Sequence, residues 1–314
     1  DFGAISDHME GVTDRQWDYF QMVTNDYNEP GRFATLQGQE WTHHVQSRGA
    51  PGHRNVYYRG DGGPPLRCTD PDCDTLEKLW QKLDNTGLQA LAIPHHPANK
   101  VMGVDWEQGW NEKYEKAVEI YSVWGNSEKP ASAGNPRPIA NAGGEVEGRH
   151  VVDALKKGYR LGIVGGGDVH DGRAGLAMHA YSYPERSHKP PEQGLTAVLS
   201  PELSRENVFD AIAGRRTYAT TQSRIYLDTS VESDGDTSKL KVRAASEDGI
   251  KEAVLVRNGE EPDSLKPAAD ARIVEGAFEL ANLAPEEFCY VRIMTEKTNM
   301  AWSSPVWGDE IGQA

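Results

Sequence analysis

The chain has 314 residues, a formal net charge of −15 and a pI near 5.1. That balance leaves no basic stripe to neutralise a phosphate backbone, which excludes a general nucleic-acid binder. No apolar run approaches the ~20 residues needed to span a bilayer, and three cysteines are too few for a disulfide framework. Strand-like and helix-like stretches then alternate from the start. Short apolar runs at residues 2–5, 33–36, 88–93 and 161–164 read as buried strands. Residues 14–27, with Trp17, Phe20, Met22 and Val23, and residues 75–83, with Leu76, Leu79, Trp80 and Leu83 on one face, read as helices. Residues 151–159 and 205–213 are two more, the last opened by Ser204. The alternation predicts βα units around a parallel sheet or barrel.

After Thr217 the texture changes to alternating apolar and polar residues at 224–231, 239–244, 252–257, 277–280 and 288–295, with Asn258-Gly259 as a hairpin-turn signal. The expected organisation is a barrel domain over residues 1–216 and a small antiparallel β domain, sandwich-like, over residues 217–314. Pro/Gly-rich stretches at 130–144 and 185–194 read as surface loops. Cys68 and Cys73, spaced C-x4-C, either close one small disulfide or stay free, and Cys289 reads as a core residue.

Chemistry concentrates where the apolar runs end. Asp7-His8 follows the first, Gln39-Glu40 with His53 follows the second, His95-His96-Pro97 the third, and Gly167-Asp168-Val169-His170 the fourth. Carboxylates and imidazoles at successive strand ends build a catalytic mouth that holds divalent metal. Glu40 offers two oxygens with which to bridge two ions, while His53, His96 and His170 each offer one nitrogen; two ions ~3.5–4 Å apart would clamp an ester between them. Gly165-Gly166-Gly167 is not a phosphate loop, because the Lys-Ser/Thr of a P-loop is missing. Arg54 and Arg173 are candidates to grip phosphoryl or sulfuryl oxygens. His95 is a candidate general acid or a donor to a ligand, and Glu119 a candidate to orient a ligand histidine. The net acidity does not exclude an anionic ester, since bound cations invert the local field.

In this order, Ser6-Asp7-His8, Gly38-Gln39-Glu40, the His before Pro97 and Gly167-Asp168-Val169-His170 resemble the metal motifs of the PHP (polymerase and histidinol phosphatase) superfamily of metal-dependent phosphoesterases. The runs Gly52-His53-Arg54-Asn55-Val56, Val118-Glu119-Ile120-Tyr121 and Ala301-Trp302-Ser303-Ser304-Pro305 are similar to a bacterial branch of it catalogued as a domain of unknown function (3604). The resemblance implies a distorted (β/α)7 barrel carrying two or three Mn, Zn or Fe ions. It implies metal ligation by His8, Glu40, His53, His96, Asp168 and His170, with Asp7 in or beside the shell of His8. The reaction implied is hydrolysis of a small phosphate mono- or diester by a metal-bound hydroxide, with promiscuity toward phosphotriesters or sulfate esters. Weighed against it are an amidohydrolase-like C–N or lactone hydrolase and a non-catalytic binding module with a degraded site. The family's first strand and its His-x-His motif are absent, so either an upstream segment is missing or the site is incomplete, and the compartment, periplasmic or cytoplasmic, stays open.

Overall fold

A computed structural model describes residues 1–43, 51–140, 142–170, 193–234, 237–281 and 283–311. The chain divides into two compact units that interleave in sequence. The first comprises Asp1–Glu119, Trp124–Val151 and Val198–Arg216; the second comprises Ile120–Val123, Val152–Ala197 and Thr217–Ala314.

The first unit is organised on a four-stranded sheet of β1 (Phe2–Ile5), β2 (Ala34–Trp41), β3 (Arg54–Tyr58) and β4 (Ala90–Pro94), in that spatial order. β1 runs parallel to β2, but β3 is antiparallel to both of its neighbours, pairing Glu40 with Asn55 and Arg54 with Pro94. Alternation along these strands separates two faces. One carries Trp41, Val56, Tyr58, Ala90 and Ala92, which pack with Trp17, Leu79 and Leu83 into a single core. Trp17 comes from helix α1 (Asp14–Asp26), started by a capping box between Thr13 and Gln16. Leu79 and Leu83 come from α2 (Leu76–Thr86), capped by the Thr75 hydroxyl and ended by Gly87 in the left-handed conformation at φ 65°. The other face carries Gly38, Glu40, Asn55 and Tyr57.

β5 (Ala117–Ser122) follows, then β6 (Gly125–Asn126) and the short helix α3 (Val151–Lys156). β7 (Gly162–Gly165) and β8 (Gly194–Val198) precede α4 (Arg205–Ala213), which returns to the first unit. There the buried Arg205 donates from Nε to the Thr35 carbonyl at 2.6 Å and from Nη1 to Asp61 at 2.7 Å, and Arg59 grips Asp210 with two 2.8 Å bonds.

The second unit is dominated by antiparallel strands. β9 (Thr217–Thr221), β10 (Tyr226–Asp234), β11 (Thr237–Ala245), β12 (Ile250–Arg257), β13 (Glu260–Leu265), β14 (Ile273–Glu279), β15 (Phe288–Thr295), β16 (Met300–Ser303) and β17 (Val306–Trp307) form a three-stranded sheet β10-β11-β14 and a seven-stranded sheet built around β12, β15, β16 and β9. Leu227, Leu240, Val242 and Phe278 from the first sheet and Leu255, Val291 and Ile293 from the second share one core. Asn258 (φ 50°) and Gly259 (φ 82°) make the β12–β13 turn, both in the conformation a two-residue hairpin requires.

The expected (β/α)7 barrel, TIM-like in outline, is therefore wrong. Among the described residues strand outweighs helix, 37% against 18%, there are only four α-helices, and the sheets are open. The physical reason lies in β3. A strand that reverses direction between β2 and β4 replaces a parallel crossover with two antiparallel pairings, and a barrel of βα units cannot be wound through it. Cys68 and Cys73 are free thiols: Cys68 Sγ donates to the Thr42 carbonyl, while Cys73 is fully buried in the core.

Candidate metal centre

The polar end of the first unit's sheet collects side chains from all four strands. His8 lies just past β1 and forms an isolated parallel bridge with Glu40, whose amide donates to the Asp7 carbonyl at 2.9 Å. His53 immediately precedes β3, and its carbonyl accepts from the His95 amide at 3.1 Å just past β4. Because β3 is antiparallel, its N-terminal end meets the C-terminal ends of β1, β2 and β4. The row His8, Glu40, His53, His95 therefore crosses the sheet at one level.

Glu40, His95 and His96, all buried, each present a ligand atom within 4.8 Å of the other two. His53 joins through Nδ1, 2.6 Å from Glu40 Oε1, and His8 Nε2 stands 3.8 Å from Glu40 Oε2. The His53 and His96 rings lie 5.1 Å apart, and the His95 and His96 rings 3.9 Å apart. Glu119, mid-strand in β5, accepts from the His96 amide at 3.4 Å and places Oε1 2.8 Å from His95 Nδ1, an ion-pair approach. His8 is held on its other nitrogen by the Thr42 hydroxyl at 2.8 Å and by Glu10 at 3.2 Å.

Electrostatics match this arrangement. Burial by itself would raise the Glu40 carboxyl, but the hydrogen bond from His53 and the nearby imidazoles take it down to about 2. Burial lowers His53, and lowers His96 well below the ordinary imidazole value, with His95 and His53 adding to the effect. Near pH 7 Glu40 is therefore ionised and His53 and His96 are neutral, the protonation states that ligation demands. Two further observations fit a divalent ion. Nδ1 of His96 is buried with no hydrogen-bond partner, a costly arrangement for a polar atom without a function. His96 is also held at φ 32°, a left-handed backbone that side-chain-bearing residues rarely adopt. Mixed imidazole and carboxylate donors suit zinc, manganese or iron.

The remaining sequence candidates fall as follows. His95, expected as an acid or as a donor to a ligand, stands within the ligand trio itself. Asp7 is exposed and contributes its carbonyl to Glu40. Arg54, expected to grip substrate, is instead 1% exposed and bonded to Glu115 through Nε at 3.0 Å and to the Pro51 carbonyl through Nη1. Burial pulls the Arg54 guanidinium down and pushes the Glu115 carboxyl up. Asp168 and His170 belong to the second unit, with His170 Nδ1 3.7 Å from Asp168 Oδ1 and Asp168 at φ 50°. Arg173 lies outside the described residues.

Two neighbours were missed. Tyr57 pairs with Gly38 on the polar face, hydrogen-bonds to Ser6, and sits close enough to Glu119 and Glu40 that their charges, together with burial, raise its phenol. The two-residue period from His53 through Asn55 to Tyr57 was the available signal. Thr42, two residues after Glu40, carries the same signal. Trp124 stands edge-on to His96, with ring centroids 6.0 Å apart.

Comparison with known proteins adds the lineage. The family model described as "Protein of unknown function (DUF3604)" matches residues 3–130 and 152–260, and so spans the whole candidate metal cluster. An uncharacterized protein of Chlamydia pneumoniae is 29% identical over 327 residues, and one of Chlamydia muridarum is 29% identical over 332. Each alignment covers 96% of this chain and 51% or 50% of the relative, so the chain spans about half the length of the curated relatives it matches. No solved structure matches. With its family model covering most of the sequence, the chain belongs to the DUF3604 family.

Proposed function

We propose that the chain is a metal-dependent hydrolase of small phosphate esters, mono- or diesters first, with sulfate esters and phosphotriesters as secondary substrates. The observation that carries this is the buried trio Glu40, His95 and His96, with ligand atoms within 4.8 Å of one another and a partnerless His96 Nδ1. Glu40, His95 and His96 would hold an ion, with His53 and His8 on the flanks of Glu40. When bound, such an ion supplies Lewis acidity toward water and toward the oxygens of the ester.

The protein's own part is orientation and exclusion. Glu119 Oε1 lies 2.8 Å from His95 Nδ1, which favours Nε2 as the nitrogen His95 presents. The imidazoles around Glu40 outweigh its burial and favour the ionised carboxylate. Tyr57 keeps its proton and is available as a donor to a substrate oxygen, and Trp124 flanks the His96 ring edge-on at 6.0 Å. Kinship with the PHP superfamily is part of the proposal and rests on the order of the motifs, not on a shared barrel.

The test is hydrolysis of p-nitrophenyl phosphate and bis(p-nitrophenyl) phosphate by the full chain with added Mn or Zn. Metal-dependent turnover of either, lost by at least ~100-fold in Glu40→Gln, is expected. Stoichiometric metal with no turnover of these or of p-nitrophenyl sulfate would remove the ester reading.

A further inference from the structure

We infer that the buried ion pair Arg54–Glu115 is a positioning device for His53, fixing the segment that carries this imidazole against Glu40. The inference rests on the metal-centre reading above. It starts from a cost. Both partners are 1% exposed, and taking two charges out of water is costly, so apolar residues of the same volume commonly match or exceed such a pair in stability. Something other than stability is then needed to account for the pair here, and its connections indicate what that is.

Arg54 directly follows His53. Its Nε reaches Glu115 Oε1 at 3.0 Å, while Nη1 turns back to the carbonyl of Pro51, so one guanidinium closes the loop on both sides of His53. Glu115 is fixed in turn: its Oε2 accepts from the Asn111 amide at 2.8 Å, and its carbonyl accepts from Trp110 Nε1 at 2.7 Å. Across the same loop the His53 amide donates to the Met102 carbonyl at 3.2 Å. Gly52 sits at φ 77°, where a Cβ would come within 2.3 Å of the Gly103 carbonyl oxygen. The backbone of residues 51–54 is held from several directions, and the side chain this holds in place is His53, with Nδ1 2.6 Å from Glu40. A planar guanidinium bonding in two directions suits this task, which a lysine's single ammonium does not reproduce.

The test compares Zn affinity, by competition with a chromophoric chelator, for the full-length wild type, Arg54→Lys, Glu115→Gln and the apolar double variant Arg54→Met/Glu115→Leu. Each protein is also melted metal-free. A positioning role predicts Zn affinity reduced 10–100-fold in Glu115→Gln and in the double variant, with Arg54→Lys in between, although no ligand has been removed. A purely structural role predicts a lower metal-free melting temperature and wild-type Zn affinity in every variant that folds, and that result overturns the inference. If the double variant does not fold, Glu115→Gln decides. Failure of the wild type itself to bind Zn or Mn would overturn the metal reading and this inference with it, a result distinct from wild-type binding that every variant shares.

Discussion

His53 and His96 carry the pH behaviour of the site. Burial keeps both imidazoles neutral in the folded chain, below the ordinary value near 6.5, whereas in the unfolded chain they take up protons as pH falls through ~6.5. Below that point the unfolded state binds more protons, so stability drops on acidification. Each residue contributes up to about 1.4 kcal/mol per pH unit until its folded value is reached. Denaturant melts of the metal-free protein at pH 7 and pH 5.5 should show this loss, and equal stability at both would mean that these imidazoles are already solvated. Glu119 is the second test at this scale. Glu119→Gln keeps the shape and removes the charge that holds His95, and metal affinity is expected to fall 10–100-fold with little change in the metal-free melt. Legibility at this scale was uneven. Glu40, His53 and His96 stand out because charged and imidazole groups at the ends of apolar runs are chemically conspicuous. Arg54 misled because a lone arginine beside a ligand looks the same in sequence whether it faces substrate or a buried glutamate sixty-one residues away.

Among the elements, β3 decides the architecture. It is five residues long, RNVYY, and its polar start hides it from any search for apolar runs. Hydrophobic period tells which face a strand buries but not the direction in which it runs, and so α1, α2 and α4 were legible with nearly correct bounds while the sheet's handedness of pairing was not. The close contact of β1, β2 and β3 has a measurable consequence at Gly38. A Cβ there would lie 2.7 Å from both the Ile5 carbonyl oxygen and the Tyr57 ring. Gly38→Ala should therefore destabilise by about 1–3 kcal/mol, as overpacking does, and also displace Tyr57 from the polar face. On the opposite face Val56 is fully buried among Trp41, Tyr58 and the α2 leucines, so Val56→Ala is expected to cost about 1–3 kcal/mol without touching metal affinity. Denaturation midpoints for the two variants test the pair of expectations, and a stable Gly38→Ala would contradict the packing described.

For the whole molecule, the two units differ in what they expose to chemistry. The second buries Leu227, Phe278, Leu255 and Val291 between two sheets, and carries Asp168 and His170 on the segment that follows β7. The first buries, at the end of its sheet, a carboxylate and a set of imidazoles that an apolar core of its size would exclude without a function for them. Among the described residues no helix is long and apolar enough to cross a membrane. The most direct test is elemental analysis of the full chain purified without added metal, beside His96→Ala. The account predicts at least one equivalent of Mn, Fe or Zn per wild-type chain and a clear loss in the variant. Wild-type protein that carries no metal, and takes none up when Mn, Fe or Zn is offered, would contradict it.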